Sequence, residues 1–431
     1  MFWDKEIETM ERKELEALQG KLLHQACQRA AQTPFYAKLF EEKGVKVDKI
    51  TSLENLKDLP FTTKQDLRIS YPDGMVSVPQ QDIVRLHASS GTTGKSTVIF
   101  YTQNDITGWA DLVARSMMAT GTTRDDVFQN MMGYGLFTGG LGLHYGAERL
   151  GCMVIPSSTG NSLKQIQLME DFNTTVVHIT PSYALHLVEV IKEHGVNPHD
   201  LNIKKAYLGA EPYSEGVRNK IQEQWGMEAY NSYGMSEMNG PGVAFECTHR
   251  NGMHLWEDFY IMEVIDPETE EPLPDGEEGE LILTHVGREA MPIIRYRTRD
   301  LTRIMPEPCA CGRTHRRIER IKGRTDDMLI IGGVNVFPSQ IETVLMKIPE
   351  VGNNYQIVLE RENNLDRMYI KVELYSKMFH GDLKELKNLT AKIVEELRAL
   401  ITVNPRVELL EPGSLPPSMG KAVRVIDNRE I

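Results

Sequence analysis

Two short stretches hold most of the residues that could do chemistry. The first, SSGTTGKST, runs from Ser89 to Thr97 and ends with glycine, lysine and a hydroxyl residue, like a P-loop. A P-loop needs a glycine six residues before its lysine, and Ser89 stands there; it also needs a helix to follow. The residues after Lys95, STVIFYT, are β-branched and aromatic and predict a strand instead. A strand–loop–strand carrying Ser90, Gly91, Thr92, Thr93, Gly94 and Lys95 still offers backbone amides, hydroxyls and an ammonium to a triphosphate. In the second stretch, PCACGRTH, one residue separates Cys309 from Cys311, while FECTHRNGMH supplies Cys247, His249 and His254. Three thiolates and an imidazole suit tetrahedral Zn2+. The preferred set is Cys247, His254, Cys309 and Cys311, with His249 or His315 as substitutes for the fourth ligand; free reduced thiols are the alternative.

The elements around these stretches predict an α/β protein. From about residue 82, short strands (VRLHA, STVIFYT, CMVIPSS, TTVVHIT, KKAYLGAE) alternate with helical patterns such as PSYALHLVEVIKEHG, which implies a mostly parallel sheet covered by helices. Residues 5–30 read as one amphipathic helix. From about 254 the strands YIMEVID, EGELILTHV and DLTRIM read as antiparallel. The remaining hundred residues carry their own β and α texture, enough for a separate core. The expected organisation is a large multi-subdomain N-terminal domain, residues 1–323, with mixed, mostly parallel sheets, and a small α+β C-terminal domain, residues 324–431.

Composition narrows the partners. The 431 residues are 41% hydrophobic and 25% charged, ordinary for a soluble globular protein, and the net charge of −13 disfavours nucleic acid or an anionic membrane. A charged N-terminus without an apolar core and the lack of any bilayer-length apolar run lead to a cytoplasmic expectation. Five cysteines, an odd number, make a disulfide framework unexpected; Cys27 and Cys152 read as ordinary buried residues.

Further motifs follow the loop in a fixed order: NSYGMSE (231–237), YRTRD (296–300), GRTDD (323–327) and PPSMGKAVRV (416–425). With SSGTTGKST these resemble the adenylate-forming superfamily of acyl-CoA synthetases, luciferases and peptide-synthetase adenylation domains. YGLFTGGLGLHYGAE (134–148), AMPIIRYRTRDLTR (290–303) and DDMLIIGGVNVFPSQIE (326–342) are similar to the phenylacetate–coenzyme A ligase family within it, and the likeness covers nearly the whole chain.

The resemblance implies an AMP-forming ligase. An aryl acid attacks the α-phosphate of ATP, pyrophosphate leaves, and coenzyme A takes the acyl group from the acyl-adenylate. It implies a nucleotide site of Ser90–Lys95, Ala210, Glu211 and Pro212, Tyr233, Gly234, Met235 and Ser236, Asp300 for the ribose hydroxyls, and Arg324 for ribose or phosphate. Glu237 would hold Mg2+, and Lys421 would act at the α-phosphate. Asp326 falls at the expected hinge, with Gly332, Gly333 and Asn335 in a loop lining the coenzyme A channel. Arg299 stands where the superfamily usually has glycine, as the phenylacetate ligases also have it. Tyr134, Phe137, Gly139 and Gly140 could bound a flat cavity for the aryl ring.

Bland readings stand beside these: a loop-capping Glu237, a buried Asp300–Arg324 ion pair, and core packing for Tyr134 and Phe137. Other functions left open are transfer to a carrier-protein thiol or an amine, and a non-catalytic nucleotide-binding homologue. The expected partners are the acid, ATP and coenzyme A, with a homodimer as a base-rate guess.

Overall fold

A computed structural model describes residues 1–89, 96–331, 334–362, 365–375, 383–416 and 423–429. Ser90–Lys95, Gly332, Gly333 and Lys421 therefore lie outside the described residues.

Among the described residues the central sheet has nine strands. Its order from one edge is Ile304–Met305, Arg317–Ile318, Met253–Leu255, Ala244–Glu246, Glu228–Tyr233, Lys205–Leu208, Val176–Ile179, Val127–Asn130 and Met153–Ile155. The last five run parallel, as the alternating pattern predicts, and the first four continue the sheet antiparallel. Helices cover the parallel part, so a strand such as Val176–Ile179 is buried at every residue. The covering helices start and stop on local signals: Pro181–Glu193 opens with proline after Thr180, whose hydroxyl accepts the Tyr183 N–H.

A second, wholly antiparallel sheet joins Tyr260–Ile265, Gly279–His285, Ile293–Thr302 and Gly323–Arg324. The segment DLTRIM is thus split, its first half ending this long strand and Ile304–Met305 entering the central sheet. The C-terminal sheet runs Arg406–Leu410, Leu365–Leu374, Val351–Glu362, Val425–Asp427, packed by helices Pro338–Leu345 and Leu383–Ile401. Its core gathers residues from Leu329 onward, and Met346 touches both this core and that of the parallel sheet.

The single N-terminal helix expected over 5–30 is instead two, Lys5–Glu8 and Arg12–Ala30. Glu8 makes the break. Its buried carboxylate turns back to accept the Trp3 and Asp4 N–H groups and pairs with Arg313 at 2.6 Å, ending the first turn against a loop three hundred residues away. Among the described residues no helix is long and apolar enough to cross a membrane.

Candidate active site

The loops that leave the parallel strands at their carboxyl ends carry the predicted residues, where an open α/β sheet offers a binding crevice. Strand Lys205–Leu208 runs into Gly209–Pro212. Ala210 there holds φ +68°, a backbone region costly for a side chain, and Glu211 accepts the Ser182 N–H (2.5 Å) at the start of helix Pro181–Glu193. Strand Glu228–Tyr233 runs into Gly234–Pro241, a loop folded back on itself. A Cβ on Gly234 would stand 2.7 Å from Gly240 Cα, and one on Gly240 would stand 2.1 Å from the Met235 nitrogen. Only glycine fits at both crossings, and the crossing aims Ser236 and Glu237 inward, where both are 5% exposed.

Asp300 reaches this loop from the antiparallel sheet. The pairing of Gly279–His285 with Ile293–Thr302 shifts register between Glu280 and Ile282, and Arg299 takes φ +68° in the resulting bulge. Buried Glu280 holds the bulge, pairing with Arg297 at 2.7 Å and accepting the Arg299 N–H at 3.2 Å. Asp300, 6% exposed, accepts the Tyr233 hydroxyl (2.6 Å) and Arg324 Nη1 (3.4 Å). Arg324 in turn grips Asp326 through two 2.8 Å bonds. Burial pushes the Asp300 carboxyl up to about 6 against the lowering effect of Arg324 and Tyr233. The ion pair weighed in the sequence is present, and Arg324 also lines a site beside it.

That site is a cavity of about 380 Å³ whose wall includes Glu237, Tyr296, Arg324, Asp326, Lys64 and Arg68. Glu237 is fixed from two sides. Thr97, buried just after the expected phosphate loop Ser90–Lys95, donates to its carboxylate at 3.4 Å, and Arg288 holds its carbonyl at 2.8 Å. The loop itself joins antiparallel strands, Ala88 facing Val98, so a strand and not a helix follows it. Lys64 and Arg68, on helix Lys64–Ile69, were not singled out in the sequence. They bring positive charge to a wall otherwise built from residues near 235, 297 and 324. The only sequence signal was a capping box, Thr63 with Asp66, which explains the helix and not its orientation.

Of the aryl-pocket candidates, Tyr134 accepts from Asn130 (2.9 Å) and meets His144 Nδ1 (3.1 Å), while Phe137 is half exposed and caps helix Thr138–Leu150. Gly139 and Gly140 are buried beneath them. A Cβ would meet the Phe137 ring at 2.7 Å and the Gly133 carbonyl at 2.5 Å, respectively. These four do not line the cavity at Glu237. Thr138 links the two regions through Ser236 Oγ, 3.4 Å away. A larger cavity of about 740 Å³ opens between Glu211–Tyr213 and the C-terminal segment. Asn335 is exposed in the hairpin Leu329–Ile331/Val334–Val336 and lines neither space.

Away from this site, Cys247, His254, Cys309 and Cys311 come together with their donor atoms all within 4.8 Å. Cys247 and Cys309 sulfurs are 3.7 Å apart, and Cys311 Sγ is 3.3 Å from His254 Nε2. Thiolates each ~2.3 Å from a tetrahedral ion stand about 3.8 Å apart, so the spacing fits zinc. His254 Nδ1 donates to the His315 carbonyl (3.0 Å), which leaves Nε2 free to ligate. His315 has both ring nitrogens engaged, with the Glu257 N–H and the Ile7 carbonyl, and His249 is not in the group.

The AMP-binding enzyme model matches residues 12–288 and the AMP-binding enzyme C-terminal domain model residues 333–429. The chain is 47% identical to the phenylacetate-coenzyme A ligase of Pseudomonas putida over 98% of this chain and 95% of that one. It is 46% identical to that of Thermus thermophilus over the full length of both. A 2-hydroxyisobutyryl-CoA ligase in its postadenylation state superposes with a TM-score of 0.93 at 31% identity, covering 99% of this chain and 92% of that chain. In its thioesterification state the TM-score is 0.73 at 32% identity, with 100% and 93% covered.

Proposed function

The chain belongs to the AMP-binding enzyme family, and from that premise we propose how its residues carry out the reaction of an acid–thiol ligase. The enzyme adenylates an aryl acid, phenylacetate or a close relative, with ATP and passes the acyl group to coenzyme A.

In the first half-reaction a carboxylate oxygen bonds to the α-phosphorus and the bond from that phosphorus to the bridging oxygen breaks, so pyrophosphate leaves. The chain must hold the triphosphate, orient the carboxylate and neutralise charge at the α-phosphate. Ser90–Lys95 embrace the β- and γ-phosphates, and Lys64 and Arg68 supply positive charge from the facing wall. Ser236 bonds an α-phosphate oxygen. Glu237, steadied by Thr97 and Arg288, is the residue that would hold Mg2+, whose charge would neutralise phosphate oxygens. Ala210–Pro212 and the Tyr233 ring sandwich adenine; Gly234 and Met235 let the backbone approach it. Asp300 accepts the two ribose hydroxyls, with Arg324 beside it, and Lys421 stabilises the charge that builds between carboxylate and α-phosphate. Thr138 and Ser236 connect this centre to an aryl pocket at Tyr134, Phe137, Gly139 and Gly140.

In the second half-reaction the coenzyme A sulfur bonds to the acyl carbon, its proton is released, and AMP departs with the ester oxygen. The C-terminal domain, from residue 324, turns about Asp326 between the two, replacing Lys421 with the Gly332–Asn335 loop. The spread between superposition on the postadenylation and thioesterification states supports two such arrangements. Cys247, His254, Cys309 and Cys311 hold a structural Zn2+ remote from the chemistry.

The observation that carries this reading is the convergence of three segments: Asp300 accepts the Tyr233 hydroxyl and Arg324, and Arg324 lines one cavity with Glu237 of the loop that follows Tyr233. A panel of aryl and short-chain acids with ATP, Mg2+ and coenzyme A, followed by AMP release and thioester formation, tests it. Phenylacetate or a ring-substituted relative is expected to lead. A short branched 2-hydroxy acid leading, or carrier protein replacing coenzyme A as acceptor, would overturn the substrate assignment.

A further inference from the structure

A second carboxylate lies buried between the large N-terminal region and the C-terminal segment, apart from the cavity at Glu237. Glu342, on helix Pro338–Leu345, is 8% exposed. One of its oxygens accepts the Ser214 backbone N–H at 2.6 Å, and the other accepts the Tyr355 hydroxyl at 2.9 Å. Tyr355 belongs to the same C-terminal core as Glu342's helix, so that bond fixes the carboxylate on its own side. The Ser214 bond crosses to the other side.

Ser214 is the N-cap of helix Glu215–Trp225, its hydroxyl accepting the Val217 N–H at 3.3 Å. In a capping box, the residue at Val217's position carries a carboxylate or amide that returns a bond to the N-cap N–H. Valine cannot return it. Glu342 supplies that half of the box from more than a hundred residues away.

The seat is shaped for close approach. A Cβ on Gly216 would stand 3.2 Å from Met346 Cβ, one turn beyond Glu342 on the facing helix. A polar bond flanks the seat, Asn353 Nδ2 to Glu189 at 2.7 Å. Ser214 also lies two residues after Pro212. The loop Ala210–Pro212 is therefore tethered at one end through Glu211 to Ser182, and at the other through Ser214 to Glu342.

We propose that Glu342 is a positioning residue for the adenylation half-reaction. By completing the cap of helix Glu215–Trp225 it holds the C-terminal segment in the arrangement described, and the bond breaks when the segment turns for thioester formation. This rests on the two-arrangement reading of the reaction. Loss of the carboxylate leaves a backbone N–H and a tyrosine hydroxyl without their partner in this arrangement. The arrangement should then be weakened on the order of 10- to 100-fold. The Ser214 hydroxyl still caps the helix, so the N-terminal region retains its fold.

The test uses the full-length enzyme and its Glu342→Ala, Glu342→Gln and Glu342→Asp variants. Three properties are measured: phenylacetate-dependent ATP–pyrophosphate exchange, thioester formation from supplied phenylacetyl-adenylate and coenzyme A, and the melting temperature. The proposal expects exchange to fall about tenfold or more in Glu342→Ala with thioester formation unchanged or faster. Glu342→Gln, whose amide oxygen still accepts the Ser214 N–H, should recover most of the loss. If Glu342→Ala does not fold, Glu342→Asp takes its place, since it keeps the charge but withdraws it by one methylene. Unchanged exchange in the Asp and Ala variants, or an equal fall in both half-reactions, overturns the proposal. Lys421→Ala run alongside separates the two ideas. If it splits the half-reactions and the Glu342 variants do not, the latch alone fails; if neither splits them, the two-arrangement reading fails.

Discussion

Asp300 shows at the scale of a residue how burial sets the working range of a site. Its carboxyl titrates at about 6 because it is buried, although Arg324 and Tyr233 pull it down. For folding, a raised acid favours the native state most below its unfolded value near 3.9, and that contribution is lost as pH rises through about 6. For the ribose contact proposed for Asp300 the sign is opposite, since only the ionised form would accept both hydroxyls. AMP affinity measured by calorimetry should fall as pH drops through about 6, by up to roughly tenfold per pH unit. Asp300→Asn should bind weakly and show no such slope; the same slope in both proteins would exclude Asp300 as its source. The aspartate was legible in the sequence as the last residue of YRTRD. Its pairing with Arg324 was weighed there as well, but its bond to Tyr233 was not, because that bond depends on a bulge that Glu280 holds from the neighbouring strand. Lys64 and Arg68 were invisible for a similar reason: nothing local to them records that their helix faces Glu237.

Elements were read best where one local rule governs them. The alternation of β-branched runs with amphipathic helices was enough for the parallel sheet, and STVIFYT was enough to place a strand after the phosphate loop. The N-terminal helix was misread because its break is tertiary, made by Glu8 and Arg313. That same region meets the cysteine loop: His315 donates to the Ile7 carbonyl while its own carbonyl orients His254. A metal at Cys247, His254, Cys309 and Cys311 should therefore brace the N-terminal turn as well as its own loop. The native enzyme is expected to carry one zinc per chain by mass spectrometry. Cys309→Ser, or chelation, should release the metal, lower the melting temperature by several degrees and expose residues 1–9 to hydrogen exchange. Adenylation at low temperature should persist. Native protein without metal, or unchanged exchange at residues 1–9 after its removal, would contradict the assignment.

At the scale of the whole molecule, the groups proposed for catalysis are divided between the two large sheets and the C-terminal segment proposed to turn. Glu237 and Ser236 sit on a loop of the central sheet and Asp300 on a strand of the antiparallel one, while Lys421 and residues 332–335 belong to the C-terminal segment. The five ordered motifs made this division legible as chemistry. They did not reveal the seat at Ser214 and Glu342, since each half is an ordinary residue until the other is placed beside it. The role proposed for Lys421, confined to one half-reaction, makes a sharp prediction. In wild type and Lys421→Ala, phenylacetate-dependent ATP–pyrophosphate exchange is compared with thioester formation from supplied phenylacetyl-adenylate. Wild type should do both, whereas Lys421→Ala should lose exchange by roughly 10²–10³-fold and keep thioester formation. An equal loss of both half-reactions in the variant, or no acid-dependent exchange in wild type, would contradict the account.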